Sequence, residues 1–176
     1  GVVESGGKVI TIAVKDCASQ SRKFFDDMVK FAQSVGSKGL GYLRWIDGEI
    51  QSPIAKFLSD EIIISLKEKA NIENGDVMFF IADKPNKALE IGGNVRDELG
   101  KRLDLIDSSV FKFCWIVDFP MYELDDDGKV EFSHNPFSMP QGGMDDLLNK
   151  NPLDILAYQY DIVCNGVELS SGAVRN

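Results

Sequence analysis

Tyr160-Asp161-Ile162-Val163-Cys164-Asn165-Gly166-Val167-Glu168-Leu169 reads as an antiparallel hairpin. Asn165-Gly166 is the strongest short-range signal for a two-residue turn, because a type I′ turn needs positive φ at both central positions. Apolar, β-branched residues flank it, and the second arm continues as Ser170-Ser171-Gly172-Ala173-Val174-Arg175. A two-residue turn sets Cys164 opposite Val167, Val163 opposite Glu168 and Asp161 opposite Ser170. Side chains alternate along a strand. Asp161, Val163, Glu168 and Ser170 are therefore expected on one face, and Ile162, Cys164, Val167 and Leu169 on the other.

Working back from the hairpin, residues 111–117 form a strongly apolar strand that Asp118-Phe119-Pro120 interrupts. The acidic run Asp125-Asp126-Asp127-Gly128-Lys129 is expected as a solvated turn, since the further ligands of a calcium loop are missing. Val130-Glu131-Phe132 is extended and leads into His134-Asn135-Pro136-Phe137. A Pro- and Gly-containing loop, a short helix near 145–148 and a start signal at Pro152 complete this half.

The first half alternates strands and helices. Residues 9–14 are β-branched and apolar, as a strand requires. Phe24, Phe25, Met28, Val29 and Ala32 follow at helical spacing, with Ser21 placed to cap the start and Gly36 the end. A strand over 40–46 closes at Asp47-Gly48. Ser59-Asp60-Glu61 opens a second helix, with acidic residues at the positive end of its dipole. After the Asn74-Gly75-Asp76 turn, a Phe-rich strand covers 77–81, and a third helix is expected over about 87–103, weakened near Gly92-Gly93. The pattern is α+β: a two-layer unit with a mostly antiparallel sheet and helices on one face, followed by further antiparallel strands.

Composition bounds the function. The 176 residues are 44% hydrophobic, with 19 Lys plus Arg against 28 Asp plus Glu and a net charge of -9. That acidity argues against a broad phosphate-binding face within this segment. No apolar run approaches the roughly 20 residues needed to span a bilayer. Cys17, Cys114 and Cys164 form no C-x-x-C pair and sit among apolar neighbours, which points to reduced thiols in a cytoplasmic setting. The chain opens Gly1-Val2-Val3 and stops just after a strand, so an excerpt of a longer protein is expected.

Spacing alone names no reaction. No P-loop, nucleotide-binding glycine fingerprint, nucleophile elbow or zinc spacing is present. Asp161 and Glu168 fall as diagonal neighbours, with Cβ atoms about 5–8 Å apart. Two carboxylates so placed suit a Mg2+ carried with a nucleotide, or they are simply the wet face of a hairpin, which spacing favours. His134, the single histidine, reads by itself as a structural residue, and Arg175 as a surface one.

Several segments taken together carry a family resemblance. Trp115-Ile116-Val117-Asp118-Phe119-Pro120-Met121-Tyr122-Glu123, His134-Asn135-Pro136-Phe137-Ser138 and the hairpin with its continuation to Arg175 resemble, in order, segments of bacterial aspartyl-tRNA synthetases. Lys38-Gly39-Leu40-Gly41-Tyr42, Ser52-Pro53-Ile54-Ala55-Lys56-Phe57-Leu58 and Gly75-Asp76-Val77-Met78-Phe79-Phe80 resemble the GAD domain inserted in the same enzymes.

The resemblance implies a GAD domain over 1–112 and part of a class II catalytic core over 113–176. It implies an ATP-dependent ligase that forms aspartyl-adenylate and charges tRNA, cytoplasmic and homodimeric when whole. His134 and Arg175 would bind aspartate, Glu168 would bind ATP, and Asp161 with Glu168 would hold Mg2+, which reverses the wet-face reading. The fragment alone would be inactive, lacking the other class motifs and the anticodon-binding domain.

The family's glycine-rich stretch is here Ser170-Ser171-Gly172-Ala173, which leaves less backbone freedom for close ligand approach. Seven residues separate Glu168 from Arg175, which on a regular strand sends them to opposite faces. A β-bulge or kink between Ser170 and Ala173 is therefore expected. The rival reading is a GAD-type binding module of a tRNA-dependent amidotransferase subunit. Such a subunit has no evident use for the His134 and Glu168–Arg175 motifs.

Overall fold

The computed structural model describes residues 1–125 and 127–176 and divides the chain into two compact units, Gly1–Ile106 and Asp107–Asn176. The division falls earlier than the boundary expected at 112. Residues 110–112 are held to the hairpin turn: Lys112 N–H donates to Asn165 Oδ1 at 2.9 Å, and Asn165 Nδ2 donates to the Val110 carbonyl at 2.9 Å.

The first unit runs β1 (Lys8–Val14), α1 (Arg22–Ser34), β2 (Gly41–Ile46), β3 (Glu49–Gln51), α2 (Asp60–Lys69), β4 (Val77–Asp83) and α3 (Pro85–Arg102). The sheet order is β1-β4-β2-β3, and every pairing is antiparallel. Local signals set most of the boundaries. Ser21 Oγ accepts from the Phe24 N–H at 3.3 Å and Ser59 Oγ from Ile62 at 3.4 Å, the first-turn donors that a helix leaves without partners. Gly36, at φ +93°, ends α1, and Ser37 N–H reaches back to the Ala32 carbonyl at 2.9 Å.

Strand β4 explains the layering. Val77, Phe79 and Ile81 point into one core with Phe25 and Met28 of α1 and Ala88, Ile91, Val95 and Leu99 of α3. Met78 and Phe80 point the other way, into a second core with Leu43, Trp45, Ile72 and, from α2, Ile63 and Leu66. A strand apolar on both faces needs cover on both. The α+β class holds, with α1 and α3 on one face as expected. The difference is α2, which adds a thinner layer on the opposite face.

Helix α3 also passes through Gly92-Gly93 without a break. A Cβ on Gly92 would come within 2.2 Å of Ile10 Cδ1, so the glycine lets the helix lie close on β1.

Asp76 ties the loops of this unit together. It is 2% exposed and accepts from Lys15 Nζ at 2.8 Å, Glu73 N–H at 2.7 Å and Asp16 N–H at 3.1 Å. Burial pushes its carboxyl pKa up, but the Lys15 hydrogen bond and the two backbone donors outweigh that and hold it below the usual value. The Lys15 pKa is raised, chiefly by the same hydrogen bond.

The second unit contains β5 (Phe113–Ile116), β6 (Phe119–Pro120), β7 (Tyr122–Leu124), β8 (Val130–Phe132), α4 (Gly143–Asn149), β9 (Leu156–Ala157), β10 (Gln159–Cys164) and β11 (Val167–Ala173). Strands β11-β10-β5 form a sheet, and β6-β9 and β7-β8 form two small ribbons. Its buried apolar cluster is small, centred on Met121, Ile155 and Ala157. Phe111, Phe113 and Trp115 remain 73%, 61% and 60% exposed, far more apolar area than a finished sheet leaves to water.

The acidic turn expected over 125–129 includes Asp126, which lies outside the described residues. Beside it, Asp125 Oδ1 accepts from the Lys129 N–H at 2.7 Å. No helix among the described residues is long and apolar enough to cross a membrane.

Candidate active-site face

The hairpin turn forms as its sequence demands, with Asn165 at φ +50° and Gly166 at φ +80°. Cys164 pairs with Val167 and Val163 with Glu168. Beyond that the register departs from expectation. Ile162 pairs with Ser170 and Asp161 with Ser171, so Leu169 is an extra residue, a bulge. The expected Asp161–Ser170 pairing is replaced, and the bulge lies just before the Ser170–Ala173 stretch rather than inside it.

Gly172 has another role. Its backbone is ordinary for a strand, and a Cβ there would lie 2.7 Å from the ring of Tyr160, its cross-strand partner. The glycine makes room for an aromatic side chain, which in turn stands edge-on to Trp115 at 5.9 Å.

The bulge resets the alternation. Gln159, Asp161 and Val163 of β10 share a face with Glu168, Ser171 and Ala173 of β11. Continuing the alternation two residues past Ala173 assigns Arg175 to that face too. The Leu169 bulge supplies the change of parity that a shared face for Glu168 and Arg175 requires.

Asp161 is half-buried on this face, and its Oδ1 is buried with no hydrogen-bond partner among the described residues. An orphaned carboxylate oxygen is costly unless a donor or cation meets it. Glu168, its diagonal neighbour, is exposed. Among the described residues no cluster of three or more His, Cys, Asp or Glu is found.

Arg175 meets the segment that follows His134 through the backbone. Ser138 and Arg175 form an isolated antiparallel bridge, Met139 N–H donates to the Val174 carbonyl at 2.8 Å, and Asn176 N–H donates to the Phe137 carbonyl at 3.2 Å. Residues 137–139 are thereby laced to residues 174–176, just past β11. His134 is exposed, just past β8, with its ring edge-on to Phe119 at 5.3 Å. Arg175 lays its guanidinium over the Phe137 ring, 4.3 Å from the centroid.

Sequence reasoning missed three features here. Gln159, only 7% exposed, shares the Asp161 face. Ser138 is fully buried with an unpartnered Oγ. The Phe137–Arg175 stack joins residues 38 positions apart, for which only their membership of two quoted motifs was a signal.

The GAD domain family model matches residues 1–91. Curated relatives are similar over both units. An aspartate–tRNA(Asp/Asn) ligase of Rickettsia bellii (strain OSU 85-389) is 53% identical over 180 residues, 99% of this chain and 30% of the relative. The ligase of the same name from Wolbachia sp. subsp. Drosophila simulans (strain wRi) is 54% identical over 177 residues, with the same coverage. That of Anaplasma phagocytophilum (strain HZ) is 50% identical over 175 residues, 99% of this chain and 29% of the relative. The chain thus spans under a third of the relatives it matches.

Proposed function

The chain belongs to the GAD domain family, and we propose that it is the GAD insertion and adjoining class II core segment of an aspartate–tRNA ligase. The whole protein activates aspartate with ATP to aspartyl-adenylate and passes the aspartyl group to tRNA. Residues 1–106 are the GAD unit in this reading, and 107–176 are strands of the catalytic core. The exposed apolar side chains Phe111, Phe113 and Trp115 support it, since a sheet cut from a larger core shows such a surface. Similarity through both units favours this over an amidotransferase module, and the family expectation of a cytoplasmic homodimer is part of the proposal.

The observation that carries the reading is the β10–β11 register, in which Asp161 and Glu168 share a face and the Leu169 bulge supplies the parity that an Arg175 on that face needs. Arg175 grips the aspartate substrate, because a planar guanidinium can give two parallel hydrogen bonds to a carboxylate. His134, three residues before Phe137, supplies a second contact to that substrate. Glu168 faces the ATP. Asp161 and Glu168 hold Mg2+, and the orphaned Oδ1 of Asp161 fits that task. The ion, when bound, neutralises charge on the nucleotide phosphates. The protein groups contribute by positioning the two substrates and balancing charge at the α-phosphate.

Aspartate-dependent ATP–pyrophosphate exchange tests this. The full-length protein should exchange, and the 176-residue chain alone should not. Arg175→Lys in the full-length protein should raise the aspartate KM at least tenfold, with the ATP KM within about twofold, since Lys keeps the charge and loses the fork. No exchange by the full-length protein, or an unchanged aspartate KM in Arg175→Lys, would overturn the proposal.

A further inference from the structure

We propose that Phe137 is the positioning residue for Arg175: its ring holds the guanidinium in place and leaves its N–H groups open to the substrate carboxylate. This rests on the reading of Arg175 as the aspartate-binding residue.

The geometry has three parts. The guanidinium carbon stands 4.3 Å from the Phe137 ring centroid, inside the range where a cation is attracted to an aromatic face. That contact holds the guanidinium against the ring face without any hydrogen bond. Among the described residues no carboxylate or carbonyl accepts a hydrogen bond from those groups. The guanidinium is therefore held by the ring and keeps its N–H groups without a protein acceptor among the described residues, as a bidentate carboxylate receptor needs.

The backbone fixes the pair from both sides. Asn176 N–H donates to the Phe137 carbonyl at 3.2 Å, and the Ser138–Arg175 bridge and the Met139–Val174 bond follow directly. Phe137 cannot slide along the strand relative to Arg175 without breaking this short ladder. A free arginine side chain loses rotamer freedom on binding substrate, and one already held against a ring has less to lose. Phe137 touches no reacting atom, so its effect runs through Arg175 to the aspartate site.

The test uses the full-length protein and pyrophosphate exchange. Phe137→Leu and Phe137→Met remove the π-face and retain apolar bulk, and running both covers the failure of one to fold. Each should raise the aspartate KM roughly five- to thirtyfold, as expected for loss of a cation–π contact, with the ATP KM and kcat within about threefold. Phe137→Tyr keeps the face and should recover most of the aspartate affinity. In an Arg175→Lys background, Phe137→Leu should add less than about twofold, because the partner it positions is gone.

A structural role alone would move the ATP KM, kcat and thermal midpoint together. An unchanged aspartate KM in both Leu and Met variants, with Arg175→Lys still impaired, overturns this inference alone. An unchanged KM in Arg175→Lys overturns the aspartate-site reading beneath it as well.

Discussion

Replacing Asp76 by Ala should cost the first unit about 3 kcal/mol. The carboxylate accepts from one ammonium and two backbone N–H groups while 2% exposed. Hydrogen bonds to a charged group contribute about 1.5–3 kcal/mol each. The sum is reduced because Lys15 is half exposed and water can reach the donors once the carboxylate is gone. For a unit of about 100 residues, such a loss lowers the thermal midpoint by about 10–20 °C. Trp45, buried next to the network and hydrogen-bonded from its N–H to the Asp76 carbonyl at 3.0 Å, reports on this unit alone in a Trp115→Phe background.

The pH dependence follows from the same pair. The folded Asp76 pKa lies below its unfolded value, near 3.9. Its stabilisation is therefore present above about pH 4 and is lost as pH falls through the folded pKa. The raised Lys15 pKa keeps the partner charged through neutral pH, and its contribution is lost only above about pH 10.5. Urea titrations followed by Trp45 fluorescence at pH 7 and at pH 3 measure both effects. A loss under 0.5 kcal/mol in Asp76→Ala at pH 7, or an equal acid sensitivity in variant and parent, would refute the reasoning.

The thiols should separate by reactivity. Cys17 is buried, and burial pushes its pKa up to about 11 against the opposing pull of Arg44, so it should resist a thiol reagent in the folded chain. Cys114 is exposed on β5 and should be labelled at least tenfold faster, and it should become protected in the full-length protein, where the rest of the proposed core covers that strand. Equal labelling of Cys114 in both would count against the missing-neighbour reading. Asn165→Ala should destabilise the second unit by about 2 kcal/mol, measured by Trp115 fluorescence during urea unfolding. It removes a residue suited to φ +50° and breaks the two side-chain bonds to Val110 and Lys112. A change below 0.5 kcal/mol would show that the turn does not fasten this segment.

The parts of the fold that local chemistry decides were legible in the sequence. Ser21, Gly36 and Ser59 act within one helical turn of themselves, and Asp47-Gly48 and Asn165-Gly166 supply the positive φ their turns need. What escaped depends on partners distant in the chain. The position of α2 follows from β4 being apolar on both faces, yet a short apolar run does not say which helix covers which side. Gly92-Gly93 read as a weak point in a helix because the close approach of Ile10 is invisible along the chain. For the candidate site, motif order nominated the residues, and parity of spacing called for a bulge. Its place at Leu169 was not legible, because Gly172 offered backbone freedom that the structure uses instead to seat Tyr160. The Phe137 stack on Arg175 likewise requires the strand ends to be brought together first.

Pyrophosphate exchange by Asp161→Asn and Glu168→Gln in the full-length protein tests the central claim most directly. If the shared face binds the metal-bound nucleotide, each substitution should slow aspartate-dependent exchange more than tenfold, in line with about 2–4 kcal/mol for one lost contact to developing charge. Raised Mg2+ or Mn2+ should restore part of the rate. Wild-type exchange by both variants would contradict the account and return Asp161 and Glu168 to the solvated side of a hairpin.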